Sequence, residues 1–505
     1  MYHDLVFRRG YLITERGDDT SPPARVDEWG TDHLDEFVVT SHPELAVRTL
    51  EGDRYALTMI GTVVDPINDT ADTAVILERA RRRISTDLVD FYDYLDALSG
   101  RFALFVHGKS ERGRGTFAVQ DATGTRSLYY DVHASRCRLS SHPEILARMG
   151  GYDRSALIEF MSRADSAAYP GTSTPYTEIK RLMPNTRLRL PSGDVERFFP
   201  REPLPERELT DELVDDVAEL LTTQLRLLNE DYELAMSLSA GLDSRVSLAA
   251  TREIADDVEY YTYDVSGNDY AESETTGQLC EALGLDRQII DLSDEPPPEF
   301  IELFSQHTSD MSTMGRRREM YNLLKEFPSD RLELRSNVAE VARTFYKKHL
   351  VAAPNRIRAE TFQKLYFQAM SAQVLREFEE LIETTSFTSE DIYNYDPYDL
   401  FYWEQRMGSW LALWLLEMDV SHDNFVVYNN RTLLKKMLSV DLEHRRSDAL
   451  FYRLIETLWP ECLSVPINPH EPKPSELSTM LKRTAYGLAF RMPLSVYRPL
   501  VRRLR

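Results

Sequence analysis

The spacing of apolar residues changes along the chain. Up to about residue 200, short apolar runs such as residues 100–106 and 116–121 are separated by polar turns such as residues 122–125. This pattern predicts β-strands joined as a hairpin or meander, with a few helices between them. From residue 211 to 229 the spacing becomes helical, which predicts an amphipathic helix whose apolar stripe contains Leu213, Val217, Leu220, Leu221, Leu225 and Leu228.

A short uncharged apolar run follows that helix and predicts a buried strand. The run breaks into the polar stretch Ser239-Ala240-Gly241-Leu242-Asp243-Ser244 before a second apolar segment at residues 246–250. A loop of small residues before a helix N-terminus presents backbone N–H groups that favour a phosphate, and Asp243 in such a site calls for a bridging cation such as Mg²⁺. On composition alone, a helix capped by Ser239 or Asp243 is the simpler interpretation.

The remaining pattern predicts two domains. Two further strands, residues 258–265 and 288–292, alternate with a helix that ends near Gly284, and this alternation predicts a doubly wound parallel sheet with ligands beyond the carboxyl ends of its strands. Residues 356–440 are predicted to be helical. The charged, proline-bearing segment 201–212 predicts a linker, and we place the domains at residues 1–205 and 206–505.

Composition narrows the function classes. The net charge of −24 argues against nucleic acid as a partner. Three cysteines without CxxC spacing predict neither a disulfide framework nor a zinc site, and they fit a cytoplasmic protein. No signal peptide is expected, and the apolar run 410–416 is too short to cross a bilayer. The basic segment 482–505 is typical of binding to a membrane surface or an anionic partner, but on an acidic chain it could also fold back as a counter-charge or fray, and we expect no membrane attachment.

The stretch 239–244 resembles the pyrophosphate loop of the ATP pyrophosphatases in its asparagine synthetase form. The resemblance implies that ATP binds to a loop formed by Leu238, Ser239, Ala240, Gly241, Leu242, Asp243 and Ser244. Ala240 stands where the family has glycine, so the backbone there should have a negative φ. The end of the second strand touches adenine in the family, which implies that Val265 lines that pocket, although an ordinary core valine fits equally well.

A second match lies at residues 332–346. The family carries Ser-Gly-Glu-Gly-x-Asp-Glu-x-x-x-Gly-Tyr here, and counting back from Tyr346 puts Glu340 on the Mg²⁺-binding aspartate and Asn337 on the preceding acidic residue. Ser336 and Val338 replace the two glycines, which implies that the loop approaches its substrate differently. The implied metal ligands are Asp243 and Glu340.

The family also uses a lysine that stabilises the transition states of adenylation and amide formation. The aligned position is Asn468, so either Lys473 reaches in or the role has moved; a solvated loop position is the simpler interpretation of Lys473.

Residues 1–200 resemble the glutamine-hydrolysing half of asparagine synthetases through four matches in the same order, at residues 100–103, 120–130, 140–144 and 179–185. That activity uses an N-terminal cysteine, and Tyr2 stands in its place. A phenol with a pKa near ~10 cannot replace a thiolate at neutral pH. We therefore expect an inactive amidotransferase domain.

These observations predict an α/β protein: an N-terminal α+β amidotransferase-like (Ntn-type) sandwich, then a doubly wound parallel-sheet ATP pyrophosphatase domain with a helical C-terminal part. The expected function is an ATP- and Mg²⁺-dependent ligase that adenylates a small-molecule or peptide carboxylate and captures it with an amine or ammonia, as the β-lactam synthetases and lasso-peptide cyclases do without the cysteine. The alternatives are an ammonia-dependent asparagine synthetase and a non-catalytic nucleotide-binding or scaffold homologue. The sequence leaves open whether the chain forms a homodimer or takes its ammonia from a partner subunit.

Overall fold

The computed structural model describes residues 2–109, 115–133, 136–163, 169–264, 270–346, 356–366, 371–469, 481, 484–485, 487–488, 490–492 and 497. Val265, Lys473 and most of the basic segment 482–505 lie outside the described residues. Two antiparallel sheets precede one parallel sheet with helices around it, which confirms the predicted α/β class.

The N-terminal part is a sandwich of two six-stranded antiparallel sheets in the described residues. One sheet has the order β10-β8-β9-β1-β3-β2 and the other β12-β11-β7-β6-β5-β4, with the strands at β1 Tyr11–Glu15, β2 Gly30–Leu34, β3 Phe37–Ser41, β4 Val47–Leu50, β5 Tyr55–Val64, β6 Ser99–Gly108, β7 Phe117–Gln120, β8 Tyr129–His133, β9 Arg136–Ser140, β10 Lys180–Arg181, β11 Thr186–Arg189 and β12 Val195–Arg197. Apolar side chains from both sheets meet in one core, for example Ile13 and Leu139 from the first and Ile60 and Phe105 from the second.

Four helices flank this sandwich in the described residues: α1 Thr73–Thr86, α2 Leu88–Ala97, α3 Pro143–Gly150 and α4 Leu157–Arg163. The N-terminal segment is not part of either sheet. Residues His3–Leu5 form a 3-10 helix, and the first strand begins at Tyr11. The ring of Tyr2 lies edge-on to the ring of Phe300 in the C-terminal part, with 5.7 Å between the centroids. The N-terminal segment therefore packs between the two parts of the chain.

The C-terminal part is built around a five-stranded parallel sheet in the order β15-β14-β13-β16-β17. Its strands are β13 Leu234–Ser237, β14 Val258–Asp264, β15 Arg287–Asp291, β16 Leu332–Arg335 and β17 Asp423–Val426. In the described residues its α-helices are α5 Asp211–Asp231, α6 Leu242–Ala250, α7 Tyr270–Leu283, α8 Pro298–His307, α9 Met314–Glu326, α10 Ala359–Leu365, α11 Ala372–Thr384, α12 Pro397–Phe401, α13 Ala412–Met418, α14 Arg431–Ser439, α15 Leu442–Arg446 and α16 Ala449–Leu458, and a π-helix, Tyr402–Leu411, joins α12 to α13.

One predicted element is wrong and another is confirmed. Residues 423–426, predicted to be helical, form β17 and pair in parallel with β16. This strand is only four residues long, so its alternation of apolar and polar residues cannot be recognised between the longer helical patterns on either side. The predicted helix at 211–229 is α5, which begins after Thr210, and the Thr210 side chain accepts a hydrogen bond from the backbone N–H of Leu213.

The two parts share a buried polar interface. The Asn429 side chain donates to the Gly100 carbonyl and accepts from the backbone N–H of Thr123 at 2.9 Å. Trp403 Nε1 donates to the carbonyl of Ala122 at 2.7 Å. Because buried polar groups of this kind fix a single packing, the sandwich and the parallel sheet hold a defined relative position.

Candidate functional site

A cavity of about 420 Å³ lies at the carboxyl edge of the parallel sheet. Four strands, β13, β14, β15 and β16, end there, and the loops after them provide the walls. The lining residues are Ser237, Leu238, Ser239, Asp243, Ser244, Thr262, Tyr263, Glu272, Leu292, Glu319, Arg335, Ser336, Asn337, Glu340 and Trp414. The cavity therefore joins the two loop motifs that the sequence singles out.

The loop after β13 is held by its own small side chains. The hydroxyls of Ser239 and Ser244 are 2.7 Å apart, and the backbone N–H of Gly241 donates to Ser239 Oγ at 3.2 Å. Gly241 is the N-cap of α6 with φ −75°, and the φ of Ala240 is not positive, so the alanine methyl is accommodated as the sequence requires. Leu238 and Leu242 are buried on either side and fix the loop to the core.

A carboxylate lies at this loop. The backbone N–H of Ala240 donates to Glu272 Oε1 at 3.3 Å, from the N-terminal turn of α7. An anion is the partner expected for an N–H before a helix N-terminus. The loop is thus able to bind a negatively charged group.

Asp243 lies in the first turn of α6 and has defined partners. Its Oδ1 accepts from Arg343 Nη1 at 2.8 Å, and its backbone carbonyl accepts from the Tyr428 hydroxyl at 3.3 Å. Tyr428 immediately precedes Asn429 of the interface, so the N-terminal part supports the position of this loop.

Glu340 faces the same cavity from the short 3-10 helix Ala339–Val341 after β16. Its Oε2 is buried and has no hydrogen-bond partner among the described residues. Burial, together with repulsion from Asp243, raises the pKa of Glu340 to about 7. A cation bound between the two carboxylates would relieve their repulsion and the cost of ionising Glu340.

Asp243 and Glu340 fit magnesium in their chemistry. In the part of the chain that the structure describes, no cluster of three or more His, Cys, Asp or Glu side chains could hold a metal ion. Mg²⁺ in nucleotide sites is commonly held by one or two carboxylates, with phosphate oxygens and water completing its coordination. Two carboxylate side chains at one cavity satisfy that requirement.

The turn between β16 and Glu340 has a left-handed backbone conformation at Val338. Val338, in the position of a family glycine, has φ 82° and a fully buried side chain. Such a conformation is rare for a β-branched residue and persists only where the surroundings enforce it. Ser336 and Asn337 precede it and line the cavity; Asn337 Oδ1 accepts from Arg335 Nε at 3.4 Å.

Arg335, paired with Glu333, and Trp414 form a charged wall on the other side of the cavity, which the motifs do not predict. Arg335 donates to Glu333 at 3.0 Å and lies over the Trp414 ring at 4.3 Å from its centroid. Burial alone would raise the pKa of Glu333, but the charge of Arg335 and a hydrogen bond from His422 lower it to about 2. The sequence does contain one signal for this ion pair. Two charged residues lie in the short strand Leu332–Arg335, and charged residues in a buried strand are almost always paired.

The position aligned with the family's lysine lies at the loop. The backbone N–H of Asn468 donates to the Ala240 carbonyl at 3.0 Å. Asn468 therefore supplies a neutral side chain there, whereas the proposed substitute, Lys473, and the adenine-pocket residue Val265 lie outside the described residues.

No helix among the described residues has the length and apolar character needed to cross a membrane.

Comparisons with known proteins give weak similarities. No protein-family model and no curated protein matches the sequence. Among solved structures, the chain is similar to NMN synthetase from Francisella tularensis, with 14% identity over 39% of this chain and 92% of that chain and a TM-score of 0.20. It is also similar to glutamine PRPP amidotransferase from B. subtilis complexed with ADP and GMP, with 12% identity, coverage of 59% and 65%, and a TM-score of 0.25.

A third similar structure is glutamine-dependent NAD+ synthetase from Acinetobacter baumannii in complex with ADP, with 12% identity, coverage of 43% and 55%, and a TM-score of 0.20. The match thus spans less than two thirds of the second and third structures. All three TM-scores lie below 0.5, where a likeness identifies neither a shared activity nor a shared substrate.

Proposed function

We propose that this protein is an ATP-dependent ligase that activates a carboxylate as an acyl-adenylate and then forms an amide with an amine. The observation that supports it is the meeting of the loop 239–244 and Glu340 at one cavity on the carboxyl edge of a parallel sheet. A loop of small residues at a helix N-terminus can bind phosphate groups, and a pair of carboxylates beside it can hold the accompanying Mg²⁺, so the site suits a nucleoside triphosphate.

In the proposed reaction, an oxygen of the substrate carboxylate attacks the α-phosphorus of ATP, and the bond to the pyrophosphate oxygen breaks. The nitrogen of the amine then attacks the acyl carbon, loses a proton, and AMP leaves. Ser239, Gly241 and Ser244 would hold the departing pyrophosphate through hydroxyl and backbone N–H groups. Preorganised donors of this kind stabilise charge where it develops, and this is usually the largest catalytic contribution.

Asp243 and Glu340 would hold Mg²⁺, which when bound neutralises charge on the phosphate oxygens. Within the described part of the chain, the buried Oε2 of Glu340 has no hydrogen-bond partner, so it can bind a cation without losing a contact to those residues. Ser336 and Asn337 would border the substrate side of the nucleotide.

The acceptor nitrogen is proposed to come from an amine on the substrate or from free ammonia. Tyr2 cannot act as the nucleophile of a glutaminase. Its ring packs against Phe300 instead.

The test is isothermal titration of the full chain with ATP and Mg²⁺, comparing the wild type with Asp243→Asn. Asp256→Asn is the matched control, because it removes an exposed carboxylate that precedes β14 at the opposite edge of the same sheet. We expect binding in the wild type and the control and a loss of at least about tenfold in Asp243→Asn. Absence of binding in the wild type, or equal binding in all three proteins, would contradict both ligase functions and leave the scaffold alternative.

A second measurement separates the two ligase functions. An ammonia-dependent asparagine synthetase releases pyrophosphate when aspartate and ammonium are supplied with ATP and Mg²⁺. The proposed amide ligase gives no release with that pair but catalyses ATP–pyrophosphate exchange when its own carboxylate is present in a panel of small acids and peptides.

A further inference from the structure

One guanidinium lies between the loop and the helix α16. Arg343 donates from Nη1 to Asp243 Oδ1 at 2.8 Å and, through Nε and Nη2, to the two carboxylate oxygens of Asp448, each at 2.9 Å. The Arg343 side chain is only 18% exposed. The paired contact with Asp448 uses one edge of the planar group, and the remaining nitrogen is directed at the carboxylate of the phosphate loop.

The backbone that carries Arg343 is closely determined. Its N–H donates to the Glu340 carbonyl at 3.2 Å, so one turn presents both the Glu340 carboxylate and the Arg343 guanidinium. Val338 and Thr344, at φ 82° and 55°, bracket this turn, and both side chains are fully buried. Left-handed backbone at two buried, β-branched residues indicates a turn whose shape is imposed by its surroundings.

Two other polar side chains near the loop do not offer it a positive charge. Asn468, which contacts the loop through its backbone, is neutral. Arg245 of α6 is buried and donates from Nη1 to the carbonyls of Cys462 and Val465, at 2.6 and 2.8 Å. In the described part of the chain, Arg343 is therefore the cation in contact with the loop's aspartate.

We infer that Arg343 is a pyrophosphate-binding residue, held by Asp448, which moves its Nη1 contact from Asp243 to a phosphate oxygen when a nucleotide enters. This inference rests on the proposed function and adds a residue to the same site. The exchange is chemically simple, because one oxygen anion replaces another as the acceptor of the same hydrogen bond while the two bonds to Asp448 remain. It also removes the Arg343 contact from Oδ1 of Asp243, one of the two proposed metal ligands.

The mechanism has a consequence that a purely structural ion pair lacks. If Arg343 binds the phosphate directly, the protein should bind inorganic pyrophosphate without magnesium. Removal of the competing Asp243 charge should then strengthen that magnesium-free binding, while it weakens binding in the presence of magnesium. Removal of the Asp243 charge also lowers the repulsion of any anion nearby, so the change that tests the contact itself is the loss of the Arg343 guanidinium.

The experiment is titration of the full chain with inorganic pyrophosphate, in EDTA and then in Mg²⁺, on wild type, Arg343→Gln, Asp243→Asn and the control Arg453→Gln. Arg453 lies on α16, donates to the carbonyl of Leu209 at 2.7 Å, and is not among the residues that line the cavity. We expect Arg343→Gln to raise the magnesium-free Kd by about tenfold or more, Asp243→Asn to lower it, and Arg453→Gln to leave it unchanged. Arg343→Lys, which keeps the charge but loses the fork, should fall between wild type and Arg343→Gln.

Each outcome decides the question. A magnesium-free Kd for Arg343→Gln within about twofold of the wild type would overturn the inference, and so would weaker magnesium-free binding by Asp243→Asn. If Arg343→Gln does not fold, Arg343→Lys takes its place, and a magnesium-free Kd for Arg343→Lys equal to that of the wild type would overturn the inference. A wild type that binds ATP with Mg²⁺ but never binds free pyrophosphate in EDTA overturns the inference and leaves the proposed function standing, whereas a wild type that binds neither contradicts the proposed function itself.

Discussion

Arg101 and Asp419 form a doubly hydrogen-bonded ion pair buried between the two parts of the chain, at 2.6 and 2.8 Å. Arg101 also donates to Asp423 at 3.0 Å, and the side chains of Arg101 and Asp419 are 1% and 2% exposed. Each partner relies on the other, because a buried charge without its counter-charge is costly.

Arg101→Met should therefore destabilise the protein strongly. We expect a loss of about 3–5 kcal/mol in the free energy of unfolding, since Asp419 would stay buried without this partner and the partly buried Asp423 would also lose a contact. Urea unfolding measures this loss. The control is Arg82→Met, which removes an arginine that is 73% exposed and bonded to Glu78; it should cost less than about 0.5 kcal/mol, and equal losses in both variants would contradict the assignment of the buried pair.

Replacement of Asn429 should lower both the stability of the interface and the affinity of the proposed site for ATP. Its amide donates to Asp121 Oδ1 at 2.9 Å and Thr125 Oγ1 at 3.0 Å as well as to Gly100. Asn429→Ala removes the hydrogen bonds to the Gly100 carbonyl, Asp121 and Thr125 from a buried network and should cost about 2–4 kcal/mol. Because Tyr428 contacts the Asp243 carbonyl, ATP affinity should also fall, whereas the exposed change Asn229→Ala should alter neither quantity.

His307 predicts a loss of stability in mild acid. Its Nδ1 accepts from the backbone N–H of Phe7 at 3.1 Å and its Nε2 donates to the Leu416 carbonyl at 2.8 Å, which requires the neutral ring. Burial lowers the pKa of His307 to about 4. Between that value and the unfolded pKa near ~6.5, the unfolded chain binds the extra proton, so stability falls as the pH is lowered through this window.

The comparison of His307→Asn with wild type checks this effect. The wild type should lose about 1 kcal/mol more than the variant when the pH is lowered from about 7.5 to about 5.5, as measured by urea unfolding. His33→Asn, at an exposed position in β2, should behave like the wild type. Parallel losses in wild type and His307→Asn would exclude His307 as the source.

Glu340→Gln should separate function from stability. Burial and repulsion from Asp243 raise the pKa of Glu340, so above its unfolded pKa the ionised side chain opposes folding, and this cost grows as the pH rises towards about 7. In EDTA at about pH 8, the amide variant should be more stable by on the order of 1 kcal/mol, and this gain should shrink near pH ~5. Its magnesium-dependent binding of ATP should be lost; a variant that is less stable at both pH values would show that the carboxylate contributes favourably.

The sequence predicts the parallel sheet and the position of the loop because apolar strands, small residues and a helix start are local signals. The same reasoning misses β17, whose four residues are too short to reveal a period, and the wall of Glu333 and Arg335, whose pairing with His422 and Trp414 is a property of packing. It also cannot show that Arg343 bonds Asp243, because these residues are one hundred positions apart. The motif roles of residues 238–244, 336, 337 and 340 stay predictions, as do the domain boundaries.

Val338 has a consequence for how this chain changes over time. Glycine at that position would relieve a backbone cost of about 1–2 kcal/mol, but it would also remove a fully buried side chain worth about 1.5–3 kcal/mol. Replacement of Val338 by glycine is therefore no net gain in stability, because the loss of the buried side chain offsets the relief of the backbone. A turn whose backbone is typical of glycine can thus be formed by a valine, provided that a packed core surrounds the side chain.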